Sequence, residues 1–176
     1  MADTQWPRYY VFEQPEDGAA FILAGSVHAP DGEMALLIAR DTFARRPQRT
    51  AMWVARDARI TSRTREQLAA GEQTGNPVPG KTPFQVFAKR SHRGVHSHVG
   101  EVAAADPEAA IHAAVDRFGE GKEVVWLVIA DVDIRRSGEA DRGVLYGSTP
   151  GKRFRHESEY PVRTMMLNLK KKSRGV

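Results

Sequence analysis

Apolar residues first gather in Arg8–Gln14, a stretch rich in aromatic and β-branched side chains that predicts a strand. Pro15, Asp17 and Gly18 supply turn chemistry, and residues 20–29 predict a second strand returning as a hairpin. Gly25 inside that strand points to a bulge or to the close approach of another backbone. The spacing then changes. Ala35, Ala39 and Phe43 fall at i, i+4 and i+8 with Leu36 beside them, one face of a helix that small alanines allow to lie close on a sheet. Asp31 suits its N-cap, Glu33 complements the dipole of the first turn, and Pro47 ends it. Residues 51–55 predict a third strand.

The same pattern recurs 75 residues later. Val11-Phe12 meets Val86-Phe87, Gly25 meets Gly100, and Ala29, Asp31, Glu33 and Ala35 meet Ala104, Asp106, Glu108 and Ala110. Ala39, Asp41 and Phe43 then meet Ala114, Asp116 and Phe118. Pro107 occupies the first helical position of the second copy, where a missing N–H costs nothing, and Gly119–Gly121 end that helix. Residues 124–129 form the matching third strand, with a longer apolar run that predicts deeper burial. Aligning Trp53 with Trp126 implies a two-residue deletion between the copies. A period this long indicates paired domains rather than a short-repeat solenoid.

The expected fold class is therefore α+β: two tandem strand–strand–helix–strand units, each with an antiparallel sheet and one main helix, packed as a pseudo-dimer. The first unit spans 6–72, a proline- and glycine-rich linker 73–82, and the second unit with a C-terminal extension 83–163. Residues 63–71 predict a short helix, 144–146 and 160–169 short extended segments, and 164–176 a largely disordered basic tail. Each half alone buries a modest core, so the two are expected to share an interface.

Composition narrows the chemistry. There is no cysteine, which removes disulfide, iron–sulfur and thiolate chemistry and fits a cytoplasmic location. No apolar run approaches the ~20 residues of a membrane span, and Met1-Ala-Asp-Thr-Gln5 does not read as a secretory signal. The net charge of +4 is concentrated between Arg45 and Arg65 and in Lys170–Lys172 with Arg174. That excess suits an acidic partner, or simply a solvated surface.

His92, His96 and His98 form the one histidine cluster, with His96 and His98 on one face of a strand. A metal site needs further ligands that neither a cysteine nor a nearby acidic pair supplies, so no metal and no cofactor is expected. There is no Gly-x-Ser-x-Gly elbow and no glycine-rich phosphate cradle. Phe84 and Phe87 sit near basic residues as in nucleic-acid platforms, yet Phe87 recurs as a repeat position and reads as core. No independent active site emerges. The alternative class is a free-standing basic α+β module that binds a small ligand or nucleic acid.

Trp6-Pro-x-Tyr9-x-Val-Phe12, then residues 25–36 from Gly-Ser-Val-His onward, Ala39-Arg-Asp-x-Phe-x-Arg-Arg46 and Met52-Trp-Val54 resemble the PaaB family. So do Val86-Phe-x-Lys-Arg-Ser91, Gly94, His96-x-His-Val-Gly100, Ala104-Ala-Asp106 and Trp126 in the second copy, and Lys152-x-Phe-Arg-His156 with Tyr160 beyond it. The resemblance implies a small non-catalytic subunit of the phenylacetyl-CoA ring-epoxidising monooxygenase. Its partners would be the di-iron oxygenase catalytic and structural subunits, which it bridges while a reductase delivers electrons. Family members usually carry one unit, so two units here imply halves that have specialised. Partner-contact candidates are Arg40, Arg45, Arg46, His96, His98, Arg155 and His156.

Overall fold

The computed structural model describes residues 5–44, 51–71 and 80–138, together with Met166 and Leu169. Strands β1 (Arg8–Gln14) and β2 (Ile22–His28) form the first hairpin, followed by α1 (Gly32–Phe43) and β3 (Ala51–Arg56). The second copy is β5 (Thr82–Lys89), β6 (Ser97–Ala104), α3 (Pro107–Phe118) and β7 (Val125–Ala130). Both helix starts are capped as the sequence predicts. The Asp31 carboxylate accepts from the Glu33 and Met34 amides at 2.9 Å each, and Asp106 accepts from Ala109 at 2.8 Å. A short α2 (Arg65–Ala69) opens with a Thr64–Gln67 capping box.

All strand pairs are antiparallel and belong to one eight-stranded sheet, ordered β4-β7-β5-β6-β2-β1-β3-β8. The copies meet where Ile22 pairs with Ser97, with Leu23 N–H donating to His96 at 2.9 Å and His98 N–H donating to Phe21 at 2.7 Å. Each copy also has a further strand that the sequence pattern did not reveal. After β3 a 3-10 turn (Asp57–Arg59) leads into β4 (Ile60–Thr64), which pairs with β7 of the second copy. After β7 the turn Asp131–Asp133 leads into β8 (Ile134–Arg136), which pairs with β3 of the first. The copies thus exchange their last strands. In a flat sheet β3 and β4 would lie six strand spacings apart, about 29 Å. The link from Arg56 to Ile60 reaches at most about 14 Å. The sheet is therefore rolled, and the two turns meet through Arg59 and Asp133 at 3.8 Å.

Ion pairs follow the exchange. Arg63 on β4 bonds Glu108 in the first turn of α3, and Arg135 on β8 bonds Glu33 in the first turn of α1 at 2.5 Å. Each glutamate that complements its helix dipole thus also holds an arginine from the other copy's strand.

The outer face of the sheet is covered by the helices. Ala35 and Ala39 of α1 pack on Val11, Met52 and Val54, while Ala110, Ile111 and Ala114 of α3 pack on Val86, Trp126 and Val128. The inner face gathers Phe12, Ala55, Phe87, Leu127, Ile129 and Ile134 from both copies. β7 is the more deeply buried third strand, as its longer apolar run predicts. Gly25 and Gly100 lie beside bulges at Val11/Phe12 and Val86/Phe87 with φ of 158° and 148°. A Cβ on either would stand 2.8 Å from the Phe43 ring or 2.6 Å from the Phe118 ring. Helix and sheet approach closely because this side chain is missing.

The sheet register corrects the tryptophan alignment. Phe12 pairs with Trp53 and its repeat equivalent Phe87 pairs with Leu127, so Trp53 corresponds to Leu127 and Met52 to Trp126. The copies differ by one residue here, and the tryptophans occupy opposite faces: Trp126 lies under α3 and Trp53 inside the roll. Met166 and Leu169 are helical, where the sequence predicts an extended segment. The segment at 144–146, most of the linker and the basic tail from residue 170 lie outside the described residues.

Gly100→Ala is expected to lower stability by about 2–4 kcal/mol, from a disfavoured φ and an overpacked contact together. Urea denaturation checks this, and an additional Phe118→Leu should recover part of the loss by making room for the new methyl.

Candidate functional site

On the inner face Phe12 and Phe87 stack with ring centroids 4.2 Å apart. Beside them Trp53 stacks on Phe21 at 3.9 Å and meets His98 edge-on at 5.5 Å, and the Arg136 guanidinium lies 4.7 Å from its ring centre. Arg136 bonds Asp131. The buried Gln85 amide donates to Asp131 and to Glu101, 2.7 Å each. Carboxylates only accept, so the Gln85 oxygen faces His98 Nε2 at 2.7 Å and that nitrogen carries the proton. The network Arg136–Asp131–Gln85–His98 thus seals one end of the inner face. Burial lowers the His98 pKa, opposed by Glu101 and assisted by Arg136. Burial raises that of Asp131, but bonds from Arg136 and Gln85 outweigh it and the net direction is down.

The repeat-equivalent positions at the other end carry Tyr10, Leu23, Ser26, Asp57, Ser62, Leu127 and His96, in place of Gln85, His98, Glu101, Asp131, Arg136, Trp53 and Phe21. With Leu23, Ser26, Ser62 and Leu127 in place of the larger His98, Glu101, Arg136 and Trp53, an open cavity of about 330 Å³ is left, completed by Gly25, Ile60 and Val125. Asp57 is neutralised by Arg8, whose Nε and Nη2 donate at 3.1 and 2.6 Å and whose guanidinium lies 5.3 Å from the Tyr10 ring centre. Burial, then the charge of Lys89, lowers the His96 pKa. A wider hollow of about 700 Å³ lies between the β5–β6 connection and the end of α3, where Arg90 donates to Glu120 at 2.8 Å.

Of the contact candidates, His96 and His98 both face inward, on either side of the joint between copies, and His98 is taken up by Gln85. Arg40 lies on α1 with its guanidinium on Asp41. Arg45, Arg46, Arg155 and His156 fall outside the described residues. Among the described residues no group of three or more histidines or carboxylates could hold a metal ion, and no helix is long and apolar enough to cross a membrane. Sequence reasoning missed Trp53, Gln85, Asp131 and Arg136 as a unit. Their only signal is that Trp53, Gln85 and Arg136 differ from their repeat equivalents.

A duplicated α+β chain, its two copies locked into one rolled sheet, is the class these features define. It belongs to the PaaB family, phenylacetic acid degradation B, whose sequence profile matches residues 5–76 and again 82–166. Over 67 residues it is 36% identical to a subunit of the 1,2-phenylacetyl-CoA epoxidase of Escherichia coli K12, an alignment covering 38% of this chain and 70% of that protein. No solved structure matches.

Because His96 and His98 are held neutral, the unfolded chain binds more protons as pH falls below about 6.5. Their contribution is present above that value and is lost on acidification. Denaturation midpoints should fall between pH 7.5 and 5.5. A His96→Phe/His98→Leu chain, carrying the first copy's residues, should show a shallower slope in the same titration.

Proposed function

We propose that this chain is a non-catalytic, bridging subunit of a multicomponent di-iron oxygenase acting on phenylacetyl-CoA or a related aromatic-CoA thioester. Family membership carries the reading. In it the two copies are a pseudo-dimer within one chain, doing together what two single-unit subunits do by association. The polar groups of the inner network are consumed by one another, which agrees with a structural role. The nucleic-acid alternative loses its stacking platform, since Phe84 and Phe87 are 3% and 0% exposed.

The contact surface we favour is the outer side of α1. Met34 and Leu37 are 41% and 46% exposed there, within the two turns before Arg40. The equivalent α3 positions hold Ala109, His112 and Val115, so the two helices offer partners different surfaces.

Co-expression with the di-iron oxygenase subunits tests the reading. The chain should co-elute with them on size exclusion, and Leu37→Asp with Arg40→Glu should weaken the complex at least about tenfold while leaving the isolated chain folded. A chain that elutes alone at micromolar concentration would sink the proposal.

A further inference from the structure

We propose that the open end of the inner face is a socket for one planar, uncharged aromatic ring, presented as the tryptophan or tyrosine side chain of a partner polypeptide. This inference rests on the subunit role proposed above.

The chain supplies its own template. At the closed end the position equivalent to Leu127 is Trp53, whose ring stacks on Phe21 at 3.9 Å and is covered by Arg136. At the open end Leu127 stops short of that space, Ser62 replaces Arg136 on the rim, and His96 stands where Phe21 forms the stacking wall. The cavity of about 330 Å³ is what remains when an indole and a guanidinium are withdrawn. Leu23, Ile60, Val125 and Leu127 provide apolar walls, and the Ser26 and Ser62 hydroxyls and the His96 ring offer hydrogen bonds. Among the described residues the His96 side chain makes no hydrogen bond of its own. Charge argues against a cationic ligand. Among the described residues Asp57 is the carboxylate lining the cavity and it is already paired with Arg8, so a cation gains no free counter-charge there and meets the positive charge of Lys89 that acts on His96. A protein side chain is favoured over a free molecule because the closed end is filled by one, and because buried aromatic anchors in pockets dominate protein interfaces.

Leu127→Trp fills the socket from within by restoring the residue of the closed end. Ser62→Trp, at an exposed rim position, blocks it without touching the core. Indole is the probe, titrated into the ¹⁵N-labelled chain. The proposal expects millimolar indole to shift the Leu23, Ser26, Ser62 and Val125 amides in the wild type and in neither variant. It also expects both variants to lose co-elution with the di-iron subunits by at least about tenfold while keeping a wild-type fold by circular dichroism. Indole binding with undiminished assembly of a folded variant would overturn it in favour of a small-molecule pocket. Absence of any indole shift at 10 mM would overturn it outright. Indole binding by a wild-type chain that never co-elutes with the subunits would refute the subunit role instead, and the inference with it.

Discussion

The exchange of β4 and β8 is the constraint on which the rest of the molecule depends. Each is too short to stand alone: β8 makes three register pairs with β3, and β4 five with β7. Yet each caps a strand edge that would otherwise present unpaired backbone groups. Because the exchange must be made through three-residue turns, the sheet has to roll, and rolling creates an inner face shared by both copies. The arginines on the exchanged strands then reach the first turns of the opposite helices. Backbone pairing, curvature and ion pairs are thus one arrangement, and no line can be drawn through the molecule that leaves each copy intact.

Elements governed by local chemistry were legible in the sequence. The Asp31 and Asp106 caps, the alanine faces and the bulges beside Gly25 and Gly100 recur because each is a steric or hydrogen-bonding demand met close by in the chain. The group that approaches each glycine, however, is a phenylalanine ring of the helix and not the backbone that the sequence suggests. The exchanged strands were not legible. Ile-Thr-Ser-Arg-Thr and Ile-Arg-Arg carry too little apolar pattern to announce themselves, and their partners lie far along the chain. The tryptophan alignment failed for a different reason. A slip of one residue in a strand transfers a side chain to the other face, so residue identity misled where only register could decide. The inner network depends on contacts such as Gln85 to Asp131, 46 residues apart, for which the sequence carries no local signal.

Duplication loosens a restraint that a symmetric dimer cannot escape. When two identical chains pair, every residue near the axis appears twice, so a large side chain on one side imposes the same on the other. Here Phe12 and Phe87 retain that equivalence at the centre, while around them Trp53 faces Leu127 and Arg136 faces Ser62 as counterparts in the two copies. One end of the inner face has become a sealed polar-aromatic cluster, and the other has kept its space.

The strand exchange also imposes an order on synthesis. When the first copy leaves the ribosome its β3 edge has no neighbour, because β8 ends 80 residues downstream of Arg56. At roughly 5–20 residues per second that edge waits about 4–16 seconds for its partner. During this interval the inner aromatic residues of the first copy have nothing to roll against. The nascent chain therefore carries an open edge while residues 57–136 are being made, and the roll closes only once Arg136 has been added.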